Sequence, residues 1–151
     1  MKTIEIHTLQ ESNALAEKLG TMVKPGMLFT MKGDLGAGKT TFTKALGKSI
    51  GIQKTINSPT FTILKIYRGE LPLYHMDAYR LEGISQDLGF DEYYEGDGLC
   101  IVEWPDYIEE QLPKERLEIS ILRKEGENEE ARSFEFFAIG DKYEAIVEAL
   151  S

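Results

Sequence analysis

The run Gly33-Asp34-Leu35-Gly36-Ala37-Gly38-Lys39-Thr40 has the residue types and spacing of a polyphosphate cradle, G-x-x-x-x-G-K-[ST], complete at every fixed position. Glycines let the backbone wrap closely around an anion and turn several N–H groups inward. Lys39 can reach the β- and γ-phosphates of a nucleotide as a point charge. The Thr40 hydroxyl can ligate the Mg²⁺ that bridges those phosphates, and Thr41 stands beside it on the same turn. A helix beginning here would offer its positive dipole end to the same anion.

Binding phosphate is not yet chemistry on it. Hydrolysis or transfer also needs a held metal ion and a positioned nucleophile. Acids at the C-terminal ends of buried strands supply these, because strand ends line the ligand crevice of an open α/β sheet. Two acids fit: Asp77 ends Leu73-Tyr74-His75-Met76, and Glu103 ends the more apolar Leu99-Cys100-Ile101-Val102. Either could hold the metal, directly or through water, and the other could orient the attacking water. Thr60, in Ser58-Pro59-Thr60, lies in the loop after the motif helix, where a threonine can sense γ-phosphate and metal. Trp104 follows Glu103 and could pack on a nucleotide, on a partner or in the core. His75 reads as a structural histidine, Cys100 as a buried inert thiol, and no Cys/His cluster suggests zinc.

The elements that must position these groups follow from pattern. Met27 to Met31 is apolar enough for a buried parallel strand before the loop. Phe42, Ala45, Leu46 and Ile50 fall at helical spacing after it, and Gly51 can stop that helix. Ile4 to His7 predicts a strand. Thr8 and Glu11 have capping-box spacing ahead of a helix face at Leu15, Leu19 and Met22. Thr62 to Tyr67 and Leu71 to Tyr79 could pair across Arg68-Gly69-Glu70. Leu81 to Gly96 suggests irregular structure with short helices, and Tyr107 to Leu112 a short helix. Arg116 to Arg123 and Arg132 to Ile139 read as a hairpin, followed by a helix from Asp141 to Leu150 with Asp141 a candidate N-cap. The whole predicts a single α/β domain over residues 1–151. It has three layers, a largely parallel central sheet, and a C-terminal β-hairpin and helix.

Bulk properties narrow the setting. No apolar stretch is long enough to span a bilayer, the first residues lack the apolar core of a signal peptide, and a lone cysteine cannot form an intrachain disulfide. These features predict a cytoplasmic protein without a membrane partner. The formal net charge is −9, which disfavours general binding of DNA or RNA, so any RNA is expected to be held by a partner.

Taken together, GDLGAGKTTF (Gly33 to Phe42), SPTFT (Ser58 to Thr62), YHMDAYRL (Tyr74 to Leu81) and VEWP (Val102 to Pro105) occur in an order and spacing that resemble the TsaE family, formerly YjeE or YdiB. These are small bacterial P-loop ATPases. The resemblance runs from about the first helix through Pro105 and is looser beyond it. It implies ATP and Mg²⁺ as cofactors. It also implies a role in synthesis of N6-threonylcarbamoyladenosine (t6A) in tRNAs that read codons starting with A, by acting on a TsaD–TsaB pair so that it turns over repeatedly. The tRNA would be met only indirectly, through that complex. By the same resemblance, Asp34 to Thr40 would form the phosphate cradle, Thr40 and Glu103 would hold Mg²⁺, Asp77 would be the second acid and Thr60 the switch-loop threonine. The start of the first helix, near Thr8 and Leu9, would approach the nucleotide base, with Arg132 a candidate for the same region. Arg80 and Trp104 match motif positions.

Two other readings compete. A P-loop small-molecule kinase would need an arginine-rich lid, whereas Arg68, Arg80, Arg116, Arg123 and Arg132 are scattered. A GTPase-like switch would usually carry N-K-x-D, which this chain lacks.

Overall fold

A computed structural model of the chain describes residues 1–33, 37–56, 64–78 and 90–150. Its strands are β1 (Lys2–Ile6), β2 (Leu28–Lys32), β3 (Leu64–Tyr67), β4 (Leu73–Asp77), β5 (Leu99–Glu103), β6 (Arg116–Arg123) and β7 (Arg132–Ile139). The helices are α1 (Leu9–Gly20), α2 (Lys39–Ser49), the single-turn α3 (Asp91–Tyr94) and α4 (Asp141–Ala149), with a 3₁₀ segment at Pro105–Gln111.

The strands form one 7-stranded sheet in the order β1-β7-β6-β2-β5-β4-β3. β2 lies between β6 and β5 and is parallel to both, and β4 continues the parallel set beside β5. Both flanks are antiparallel: β3 pairs with β4 at one edge, while β7 and then β1 extend the sheet at the other. The expected parallel centre and C-terminal hairpin are therefore both present.

β5 shows why this centre forms. All five of its residues are buried, Leu99 and Ile101 on one face, Cys100 and Val102 on the other. Such a two-sided apolar run has no low-energy place at a sheet edge. The larger core packs Leu15 and Leu19 of α1, Phe42 and Leu46 of α2, and Tyr143 and Ile146 of α4 against Phe29, Met31, Ile101, Phe134 and Phe136. The smaller core, on the opposite face, packs Tyr94, Ile108 and Leu112 against Leu28, Met76, Cys100 and Val102. This is the helix–sheet–helix layering expected.

The ends of the helices are built locally. Thr8 is the N-cap of α1, its Oγ1 accepting from the Glu11 N–H at 3.1 Å. The Glu11 carboxylate reaches back to accept from the His7 N–H at 2.6 Å, one residue outside the usual capping box. α2 ends at Ser49 with Ile50 as its C-cap, and Gly51 follows at φ +92°, as the stop signal implied. Asp141 is not the cap of α4. Gly140 takes that place at φ +110°, a conformation that disfavours a side chain, and Asp141 becomes the first helical residue. The first strand also begins earlier than its pattern suggests and stops at Ile6, because it follows the register of β7.

Candidate functional site

Two of the motif glycines are required by geometry. Gly38 sits at φ +105°, where an L side chain is strained. A Cβ on Gly33 would come 2.8 Å from the Ile121 carbonyl oxygen of β6, so the loop departs from β2 in backbone contact with the next strand. Gly38 is also the N-cap of α2 and supplies no side-chain hydrogen bond. The first N–H groups of α2 thus receive no capping oxygen from Gly38, the arrangement that an anion site at a helix start uses.

Lys39, the first residue of α2, is buried, with its Nζ 3.9 Å from Glu103 Oε1 and 4.2 Å from the centroid of the Trp104 ring. Trp104 achieves this by adopting φ 57°, the one non-glycine residue with positive φ among those described. The left-handed turn ends β5 abruptly and swings the indole over the ammonium.

Glu103 is 4% exposed. It stands in register with Asp77 at the ends of neighbouring parallel strands, and its carbonyl accepts from the Ala78 N–H at 2.9 Å. Alternation along the strands puts residues 75, 77, 101 and 103 on the face that carries α2. The two expected acids therefore share one side of the sheet with Lys39. His75, fully buried, places Nε2 2.5 Å from Glu103 Oε2. Among the described residues no group of three or more His, Cys, Asp or Glu forms a metal cage. A nucleotide-bound Mg²⁺ does not need one, since one or two carboxylates plus phosphate oxygens suffice. The half-buried Thr40 and the buried Glu103 are a hydroxyl and a carboxylate of the kind such an ion takes.

A second concavity of about 200 Å³ opens beside the loop, lined by Leu9, Ala37, Gly38, Thr41, Arg132 and Phe134 among others. Arg132 closes it. Its Nε donates to the Ala37 carbonyl at 2.7 Å, and another guanidinium nitrogen donates to the carbonyls of Glu129 and Ala131 at 2.6 and 2.8 Å. The Leu9 N–H donates to Glu130 Oε1 at 2.7 Å, and Asn128 Nδ2 to the His7 carbonyl at 3.0 Å. The β6–β7 turn is thus laced both to the start of α1 and to the phosphate loop. A much larger groove of about 1000 Å³ lies at the far end of α2, between Lys44, Lys48, Lys54 and Arg68. The candidate site rests on the glycines and Lys39, not on size.

The residues expected from sequence fall into two groups in space. Lys39, Glu103 and Trp104 meet at the strand ends, with Asp77 alongside Glu103. Leu9, Ala37, Gly38, Thr41 and Arg132 meet at the smaller cavity. Thr8 adjoins the second group with its hydroxyl engaged in capping α1. Asp34, Leu35, Gly36, Thr60 and Arg80 lie outside the described residues. Cys100 takes no part: burial pushes its thiol up to about 12, and its Sγ donates to the Tyr93 carbonyl at 3.1 Å. Sequence reasoning passed over Glu130 and the contact of His75 with Glu103. The signal for His75 was its position two residues before Asp77, on the same strand face.

Comparison with known proteins gives the family and the fold. A family model described as "Threonylcarbamoyl adenosine biosynthesis protein TsaE" matches residues 6–133. A Bacillus subtilis protein named tRNA threonylcarbamoyladenosine biosynthesis protein TsaE is 51% identical, over 100% of this chain and 96% of its own. A Treponema pallidum protein of the same name is 42% identical over 68% of this chain and 78% of its own. The crystal structure of Bacillus subtilis YdiB superposes with a TM-score of 0.83 at 44% identity, over 99% of this chain and 93% of that one.

Proposed function

The chain belongs to the TsaE family, and on that premise we propose that it is an ATP-binding and ATP-hydrolysing subunit of cytoplasmic t6A synthesis. It serves tRNAs that read codons starting with A by acting on a TsaD–TsaB complex, which carries the tRNA and is reset for further rounds. The observation that carries this reading is the buried Lys39 ammonium, held between Glu103 and Trp104 at the end of a glycine loop.

In this reading Lys39 and the open N–H groups of α2 bind the β- and γ-phosphates. At about 4 Å and an effective dielectric of about 20, the attraction of Lys39 to Glu103 is on the order of 4 kcal/mol before desolvation. That suffices to park the ammonium, and the several charges of a triphosphate suffice to turn it away. The ligand then takes the place of an existing counterion instead of meeting an unpaired buried cation. Mg²⁺, held by Thr40 and Glu103 with Asp77 as second acid, would neutralise charge on the transferring phosphoryl group. Glu103 and Asp77 orient water on that side of the loop, and Thr60 acts as the switch-loop threonine. On the other side Leu9, Thr41 and Arg132 border the space for the adenine and ribose, with Arg132 holding the Ala37 carbonyl in place.

The test is ATP hydrolysis by the purified protein, alone and with TsaD–TsaB, while t6A formation is followed over many turnovers. Slow intrinsic hydrolysis that the partners accelerate, together with sustained t6A synthesis, is the expected result. Hydrolysis indifferent to the partners and no effect on t6A would sink the reading.

A further inference from the structure

We infer that His75 is a positioning residue for hydrolysis, setting which oxygen of Glu103 faces the nucleotide; this rests on the ATPase reading above. A carboxylate at the end of a glutamate side chain turns easily, because its last torsion is broad and roughly two-fold. Here it is divided between two neighbours. Oε2 lies 2.5 Å from His75 Nε2, and Oε1 lies 3.9 Å from Lys39 Nζ. An ionised carboxylate can only accept, so Nε2 carries the proton and donates. With Oε2 engaged from behind, Oε1 is the oxygen presented to the phosphate loop.

The burial of His75 supports this assignment. The ring is fully buried on β4, flanked in register by Lys65 of β3 and Ile101 of β5. Its Nδ1 has no hydrogen-bond partner among the described residues. An apolar side chain would fill this position without an orphaned nitrogen, so packing alone does not explain an imidazole there. The bond to Glu103 does. An unpartnered Nδ1 also agrees with the Nε2–H tautomer, in which Nδ1 is a bare acceptor and not a buried, unsatisfied N–H. Carboxylates that hold metals are themselves commonly oriented by a hydrogen bond from behind, and removing that partner typically lowers metal affinity or activity 10- to 100-fold.

The experiment compares His75→Gln with His75→Asn. A glutamine amide nitrogen can reach the place of Nε2, whereas an asparagine amide stops near Nδ1. Turnover is measured with the partner complex at saturating ATP, and ATP binding by the fluorescence of Trp104, the single tryptophan. The expected result is kcat about 10- to 100-fold lower for His75→Asn, with ATP affinity within a few-fold of wild type and a raised Mg²⁺ requirement. His75→Gln should recover most of the rate. Equal kcat in the two variants, or a loss confined to thermal stability, would overturn the positioning role while leaving ATP hydrolysis intact. Absence of turnover in the wild-type protein would instead overturn the ATPase reading and this role with it. Independently of any variant, nitrogen-15 spectra of the two histidines should show one imidazole protonated at Nε2 and bare at Nδ1. A His75 ring protonated only at Nδ1 would overturn the proposal.

Discussion

The parallel centre and the antiparallel flank of this sheet serve the candidate site in different ways. In the centre, β4 and β5 run side by side and end together, so Asp77 and Glu103 arrive in register beside the loop that leaves β2. In the flank, β6 and β7 run in opposite directions, and the end of β6, the turn and the start of β7 come near the loop. It does so through long-range bonds: Arg132 to Ala37, and Glu130 to Leu9. The centre brings charges together because parallel strands share a C-terminal edge. The flank contributes walls and anchors, because of this antiparallel pair only β6 ends at that edge, while β7 starts there. Chemistry should therefore be sensitive to the centre, and affinity and loop shape to the flank.

Substitutions can break or sharpen that division. The largest effect is expected for Lys39→Ala, which should abolish measurable nucleotide binding, as checked by titration calorimetry; retained affinity would remove the anchor of the functional reading. Next, Glu103→Ala should leave ATP binding within a few-fold and lower kcat by about 100-fold or more, the scale of a lost positioned acid or base. Wild-type turnover in that protein would move the chemistry away from β5. Arg132→Ala should behave in the opposite sense. It removes charge-assisted bonds each worth about 1.5–3 kcal/mol when well formed, reduced here because part of the guanidinium network is exposed. ATP affinity should fall roughly 10-fold while kcat at saturation holds, and a kcat defect as large as that of Glu103→Ala would erase the distinction between the two halves. The smallest effect belongs to Thr8→Ala. Loss of the cap on α1 should cost about 1 kcal/mol of stability, or roughly 2–4 °C in melting temperature for a chain of this size. Nucleotide turnover should not change.

The same division explains what could be read from sequence. The strand, loop and helix around Lys39 are contiguous, and each announces itself locally through glycine spacing and periodicity. β5 was legible from five residues, since an uninterrupted apolar run ending in an acid has few places in a sheet. The hairpin and α4 were legible too, with Gly140 instead of Asp141 as the cap because the turn needs a positive φ. Beyond the two hairpins, β3 with β4 and β6 with β7, which strands neighbour which was not legible. The pairing of β1 with β7 joins residues more than a hundred positions apart, and nothing local in either strand names the other. For the same reason Arg132 was only a candidate and Glu130 was missed. His75 looked like an ordinary core histidine because its partner Glu103 comes from another strand.

The strand order also bears on the birth of the protein. β2, which carries the phosphate loop, is made early, yet one of its neighbours is β6 and the N-terminal strand waits for β7. A nascent chain must synthesise Arg132 to Phe136 before its first strand has its partner. Until then the loop lacks the backbone of Ile121 against which Gly33 is fitted and the guanidinium that holds Ala37. A chain stopped at residue 113 should emerge without ATP affinity, and the competent site should appear in one late step when the C-terminal hairpin closes.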